Sequence, residues 1–397
     1  MNEFKYAIVI KPLGLLYGSA GAFLSPENLV GRSGNHFPPN TATLSGLYVS
    51  PRKTTPTNEE EEKEKNREFL NSLLFAGPFW AMADNPLNFH VPLPLTCETK
   101  PDPPSTDDRF TIGQGKVTQI WDWQAASQEG EEGSWYRPDG LVKKRDDSKT
   151  WIAIEDWGKL QNWKSAWADF TIESQDLSPA DKKALFTQKS TTASDPLNIP
   201  VKTDPWQFVP HLHPRLEPDQ RRVAQNTENG SLFLENAVQM HPDTCLVYLA
   251  SHELPPGWYR FGGEGHMVEV ESVPLTKSLN ELFKQPVGDR FALIAPAAWG
   301  SKNFSYRFPV DNSPDPQPLW SIRDMMTERP QPHRFLTNSI KHDPRFSRGR
   351  YVVPARTVYV LDEAKPLLPP WLGWPTEWFP TEGGSYQRWG SGFALPL

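Results

Sequence analysis

The sequence predicts an α+β protein of about two domains, built on antiparallel sheets. Three observations carry this prediction. Apolar and polar side chains alternate with period two in several short runs, as they do in half-buried strands. Helical spacing is confined to a few short stretches. The 397 residues also include 41 prolines, about twice the usual share of roughly 5%. Proline is kept out of helix interiors and central strands, so long ordered loops and edge strands follow.

Taken in order, Phe4, Tyr6, Ile8 and Ile10 alternate with Lys5, Ala7, Val9 and Lys11 and predict an opening strand. Residues 12–40 form a glycine-rich loop that ends in Phe37-Pro38-Pro39. Asn40 and Thr41 then offer a capping side chain for a first helix, which Pro51 and Pro56 interrupt. The helical pattern resumes in the charged run 59–65 and continues through Phe69, Leu70, Leu73 and Leu74, which share one helical face. Residues 77–82 and 89–95 read as edge-like strands, and 99–110 as a linker. Residues 111–170 are rich in tryptophan, which is expected to pack rather than to stack on bases. The polar, proline-punctuated segment 174–204 marks the expected boundary between domains 1–205 and 206–397. In the second domain, residues 244–250 read as a strand, 278–284 as a short helix and 291–295 as a buried strand. A closing stretch 349–361 precedes a glycine-rich segment, 383–393.

Several classes of function are disfavoured. Cys97 and Cys245 are the only cysteines and form no CxxC pair, so neither a structural zinc site nor a disulfide framework is indicated. No signal-peptide pattern and no apolar run of the ~20 residues needed to span a bilayer are present. A soluble, cytoplasmic protein without a membrane partner is expected. No P-loop and no Gly-x-Ser-x-Gly elbow occurs. His211 and His213 lack a third ligand at metal spacing, no carboxylate pair stands out for acid–base work, and no cofactor is implied.

Two stretches carry the chemistry that remains. In Trp258–Val270, short alternating runs flank Gly262, Gly263 and Gly265, which reads as a hairpin. Glycine permits positive φ, and exposed amides in such a turn can receive an anion. An ordinary turn that simply needs glycine explains the same residues. The second stretch, from Arg329 to Arg356, holds seven Lys/Arg and one acid, Asp343, within a chain whose net charge is −7. A local basic patch is what phosphate contacts require, whatever the total charge. A solvated basic loop balanced by acids elsewhere is the alternative. Glycine turns, arginines and aromatic residues together form the mixture that reads single-stranded RNA.

A series of motifs in fixed order sharpens this. The opening strand and loop (6–21), Phe37-Pro38-Pro39 with Thr43-Leu44-Ser45-Gly46, Gly77-Pro78 and Val91-Pro92-Leu93-Pro94 come first. The histidine segment 213–233, Gly262-Gly263-Glu264, Val353-Pro354-Ala355 and the glycine-rich close 383–396 follow. In that order the chain resembles the RAMP-superfamily subunit of type III-B (Cmr) CRISPR effector complexes that binds the guide RNA's 5′ handle, usually called Cmr subunit three. The family's arginines after Gly-Gly-Glu are replaced here by Gly265-His266-Met267. The insert at 50–65 and the tryptophan-rich region have no counterpart in the resemblance.

The resemblance implies two ferredoxin-like (RRM-like) domains with long Pro/Gly-rich insertions, each an antiparallel sheet with two helices on one face. It implies a non-enzymatic role in antiviral defence. The partners would be crRNA, the large palm-domain subunit, a backbone RAMP subunit and, indirectly, target RNA. Arg345, Arg348 and Arg350 are then expected at phosphates, with Gly262, Gly263, Gly383 and Gly384 allowing backbone approach. His213, Arg215, Tyr386 and Arg388, and Arg260 or His266 at the hairpin, complete the candidate RNA-binding set. Two other readings stay open on the residues: a RAMP-type endoribonuclease with His36 as base, and a carbohydrate-binding protein using its tryptophans.

Overall fold

A computed structural model describes residues 3–17, 37–49, 68–101, 110–124, 133–136, 150–164, 198–214, 222–223, 232–262, 265–300, 304–311, 313–337, 345–362, 368–382 and 384–397. The protein is strand-rich, with few helices and antiparallel sheets, as an α+β class requires. No helix among the described residues is long and apolar enough to cross a membrane.

A ten-stranded sheet contains β1 (Tyr6–Pro12), β2 (Phe75–Met82), β3 (His90–Pro92), β4 (Cys97–Pro101), β5 (Gln114–Ile120), β6 (Trp151–Ala153), β7 (Pro200–Lys202), β8 (Thr244–Ala250), β9 (Gly257–Phe261) and β10 (His266–Pro274). Its spatial order is β9-β10-β1-β8-β2-β3-β6-β7-β5-β4. Strands from both sides of residue 205 pair in this one sheet. The polar stretch that marked the expected domain boundary lies within an excursion between β2 and β8. A second sheet contains β11 (Arg290–Leu293), β12 (Ile322–Met326), β13 (Val358–Leu361) and β14 (Ala394–Pro396), in the order β12-β13-β11-β14.

Both sheets hold the same four-strand pattern. In the first, β10-β1-β8-β2 takes the fourth, first, third and second of those strands in chain order, and every neighbour is antiparallel. In the second, β14-β11-β13-β12 repeats that order, again all antiparallel. A ferredoxin-like βαββαβ unit also carries two helices. Here α1 (Thr41–Val49) follows β1, while residues 251–256 and β9 occupy the place of the second helix. The connections of the second sheet carry only 3-10 turns and short strands among the described residues.

Local sequence explains the pieces. Asn40 caps α1 by accepting from the Ala42 N–H at 3.1 Å. Leu44, Leu47 and Tyr48 recur on one face and are buried. Each buried leucine is worth about 2 kcal/mol against exposure. The second helical stretch ends at Ser72, so Leu73 and Leu74 leave the helix, although both stay buried. The run 59–65 lies outside the described residues. β2 is an interior strand rather than an edge, because the register shift between Val247 and Leu249 lets Pro78 sit opposite a ladder irregularity.

Two cores line the large sheet. Ala7, Val9, Cys245, Val247 and Leu249 face a layer shared with the second sheet, where Phe291, Trp299 and Phe393 pack. Ile8, Ile10, Leu246, Tyr248 and Ala250 face α1. Burial on both faces is why β8 reads as one continuous apolar run. α2 (Lys277–Phe283) joins the two sheets, and Phe283 meets Phe4 edge-on at 6.0 Å. The insertion is fastened to the second sheet by the Arg290–Asp122 ion pair. The Trp157 indole N–H, donating to the Pro396 carbonyl at 2.8 Å, is a second tie. Trp151, Trp157 and Trp163 are buried, as packing residues should be.

Candidate nucleic-acid interface

The glycine hairpin forms where the alternation places it. Phe261 pairs with His266, and the Gly265 N–H donates to the Gly262 carbonyl at 3.2 Å. Gly262 has φ 78° and open space around a notional Cβ, so conformation alone selects glycine there. Gly263 and Glu264 lie outside the described residues. The outer face carries Trp258, 73% exposed, with Arg260 and Met267. Trp258 stands opposite Glu269, and Glu253 and Glu271 are also exposed. His266 is half-buried. The hairpin face is therefore mixed to acidic rather than basic.

The arginine segment splits into two groups. Arg350 is 4% exposed, and its Nη2 reaches Glu382 Oε1 at 2.7 Å. The other Glu382 oxygen accepts from the Arg348 backbone N–H at 3.1 Å. The Arg350 guanidinium lies over the Tyr386 ring, 5.4 Å from its centroid. Tyr386 is itself buried, between Phe335 and Trp389. Its burial pushes the phenol pKa up. Arg350 and Tyr386, expected to meet phosphate and base, are committed to the interior. Arg356 behaves likewise: it holds φ 77°, donates to the Leu93 carbonyl at 2.9 Å and pairs with Glu328 at 3.2 Å. Arg348 and Arg329 are exposed. Arg345 sits on a two-residue strand, Arg345–Phe346, opposite Leu336–Thr337.

The closing glycine-rich loop joins these parts to the first sheet. Tyr386–Trp389 is a 3-10 turn capped by the Ser385 hydroxyl, and it ends on Gly390 at φ 76°. A Cβ on Gly390 would lie 2.6 Å from the Ala76 Cα, so this approach requires glycine. Arg388 donates to the Leu73 carbonyl at 3.1 Å and to Asn71 Oδ1 at 3.2 Å. Its burial lowers its pKa. The Thr41 hydroxyl donates to the Trp389 carbonyl at 2.6 Å, and the Tyr248 hydroxyl to the Pro39 carbonyl at 2.6 Å. Phe335 packs on Trp389 at 4.8 Å. The proline approach to α1, the start of β2, the arginine segment and the closing loop thus meet at one place. Gly384 lies beside Arg388.

His213 sits on the ribbon strand Trp206–Pro214, opposite Phe233. His36, Arg215 and Gly383 lie outside the described residues. No cluster of three metal-ligating side chains occurs among the described residues. A cleft of about 370 Å³ is lined by Asp84, Asn88, His90, Glu155 and Lys202, among others. His90 stacks on Trp80 at 4.0 Å, and burial, with the Lys202 charge, pushes its pKa down to about 3.

Two exposed aromatics beside the arginines escaped the sequence reading. Tyr351 lies between buried Arg350 and Val352 and is 54% exposed; Phe304 is 64% exposed. Strand alternation through Arg350–Val352 is the signal that places Tyr351 outward.

No family model matches the chain, and no curated protein matches it. Among solved structures it is similar to a chain of a type III-B Cmr-beta complex bound to cognate target RNA and AMPPnP. That match has 10% identity and a TM-score of 0.44, and covers 89% of this chain and 86% of that chain. It is also similar to a chain of a Csm3-Csm4 subcomplex of the type III-A CRISPR-Cas interference complex, at 11% identity and a TM-score of 0.36, covering 92% of this chain and 94% of that chain.

Proposed function

We propose that this chain is a non-catalytic RNA-binding subunit of a type III CRISPR effector complex, working in the cytoplasm and gripping the 5′ handle of the guide. Its two sheets are read as modified ferredoxin-like units, in which short turns and hairpins replace most of the helices. The observation that carries the reading is the convergence of segments that are remote in sequence. Thr41 beside the Phe-Pro-Pro motif meets Trp389 of the closing motif, Leu73 ahead of Gly77-Pro78 meets Arg388 of that same closing motif, and Phe335 of the arginine segment packs on Trp389. Exposed Arg348 belongs to the same segment. Buried Arg350 and Tyr386, with half-buried Arg388, set its shape, and phosphate contact falls to the exposed arginines. The large palm-domain subunit and a backbone RAMP subunit are the protein partners of this reading.

The test is to purify the assembly through a tag on this chain and to sequence its RNA. Guides that share a 5′ handle are expected. An assembly that lacks guide RNA would contradict the reading. Precursor transcript incubated with the purified chain should stay intact; cleavage that disappears in His36→Ala would favour a processing nuclease instead.

A further inference from the structure

We infer that Phe304 and Tyr351 form a base-stacking platform for single-stranded RNA, placed beside the arginine segment. The inference rests on the RNA-binding reading above and assigns the bases a specific place. Phe304 and Tyr351 are 64% and 54% exposed. The Tyr351 N–H donates to Ser305 Oγ at 3.2 Å, which ties the strand bearing one aromatic to the residue that follows the other. Tyr351 projects outward because its neighbours Arg350 and Val352 project inward. Its position is therefore fixed by the buried Arg350–Glu382 pair rather than by a mobile loop.

Charge decides what kind of surface this is. Arg307 follows Phe304 by three residues and Arg348 precedes Tyr351 by three, and both are exposed. Two acids of the arginine segment's surroundings are paired internally, Glu382 with Arg350 and Glu328 with Arg356. Exposed aromatic rings in a locally cationic surface match a polyanion whose bases have free faces. Trp258, the most exposed aromatic among the described residues, faces Glu269 near further glutamates, which disfavours the same ligand. An apolar protein partner would use the two rings but would gain nothing from the exposed arginines.

The experiment titrates the full chain into a fluorescein-labelled single-stranded RNA of mixed sequence. Tyr351→Ala is expected to weaken binding about five- to a hundredfold without changing the salt dependence, because stacking releases no counterion. Tyr351→Phe keeps the ring and is expected to bind like wild type. Phe304→Ala should behave as Tyr351→Ala, and the melting temperatures of all three should match wild type. Wild-type affinity in the Phe304→Ala/Tyr351→Ala double variant overturns the platform and leaves the RNA-binding reading intact. Loss of a co-purifying protein subunit with unchanged RNA affinity also overturns it, in favour of a protein docking site. A wild-type chain that binds no RNA removes both proposals.

Discussion

Glu382→Ala tests how the arginine segment is built. Glu382 holds Arg350 through a 2.7 Å ion pair and the Arg348 amide through a 3.1 Å hydrogen bond. Removing one member of a buried pair costs about 3–5 kcal/mol, because the remaining charge stays buried without compensation. The Glu382 side chain is 15% exposed against 4% for Arg350, so water partly reaches the pair and the lower end applies, about 3 kcal/mol. The lost Arg348 contact adds little, since that residue is exposed and water can replace the acceptor. A loss of this size is a large fraction of a stability of about 5–15 kcal/mol. The assay is urea unfolding of the full chain, read by tryptophan fluorescence. The midpoint should fall with little change in slope. Arg350→Met combined with Glu382→Leu should recover most of the loss, because apolar replacement removes both desolvation costs. An unchanged midpoint in Glu382→Ala, or a double variant as unstable as the single, would refute the assignment of Arg350 to structure rather than to ligand.

Arg348→Ala should leave the urea midpoint unchanged, weaken RNA binding across sequences and reduce the salt slope by about 0.7, the value of one single-strand phosphate contact. His90 makes the fold acid-sensitive. Its imidazole titrates near 3 in the folded chain and near 6.5 in the unfolded chain. Between those values the unfolded chain binds the extra proton, so this contribution is complete above pH 6.5 and drains away as the pH falls toward 3. Its ceiling is on the order of 5 kcal/mol. His90→Phe, which can keep the stack on Trp80, should show a shallower stability loss on acidification, measured by urea unfolding across that range. Gly390→Ala should cost about 2–4 kcal/mol from backbone strain and collision with Ala76, whereas Gly262→Ala should cost only about 1 kcal/mol, as melting temperatures would report.

The elements whose cause is local were legible in the sequence. The alternation at Phe4–Ile10, the glycine hairpin and the Asn40 cap each depend on neighbours in the chain, and each is present. What the sequence hid depends on partners far away. Arg350 and Tyr386 looked available because nothing nearby announces that Glu382 and Phe335 enclose them. β8 reads as a plain apolar run, which conceals that its two faces serve two different cores. The repeated strand order was invisible because the third strand of the first sheet follows the second only after the long excursion containing residues 83–243. The same excursion drew the expected boundary to a polar stretch. The arginine cluster is legible as a basic segment, but its division into interior members, Arg350 and Arg356, and exterior members, Arg329 and Arg348, required the fold.

The most direct test of the central claim is to map where the guide's 5′ end crosslinks within the purified assembly. Ultraviolet crosslinking followed by peptide mass spectrometry should place the handle on this chain, on peptides that carry Phe304, Arg348 or Tyr351. Crosslinks from the guide's 5′ end that fall only on other subunits, with none on this chain, would contradict the account.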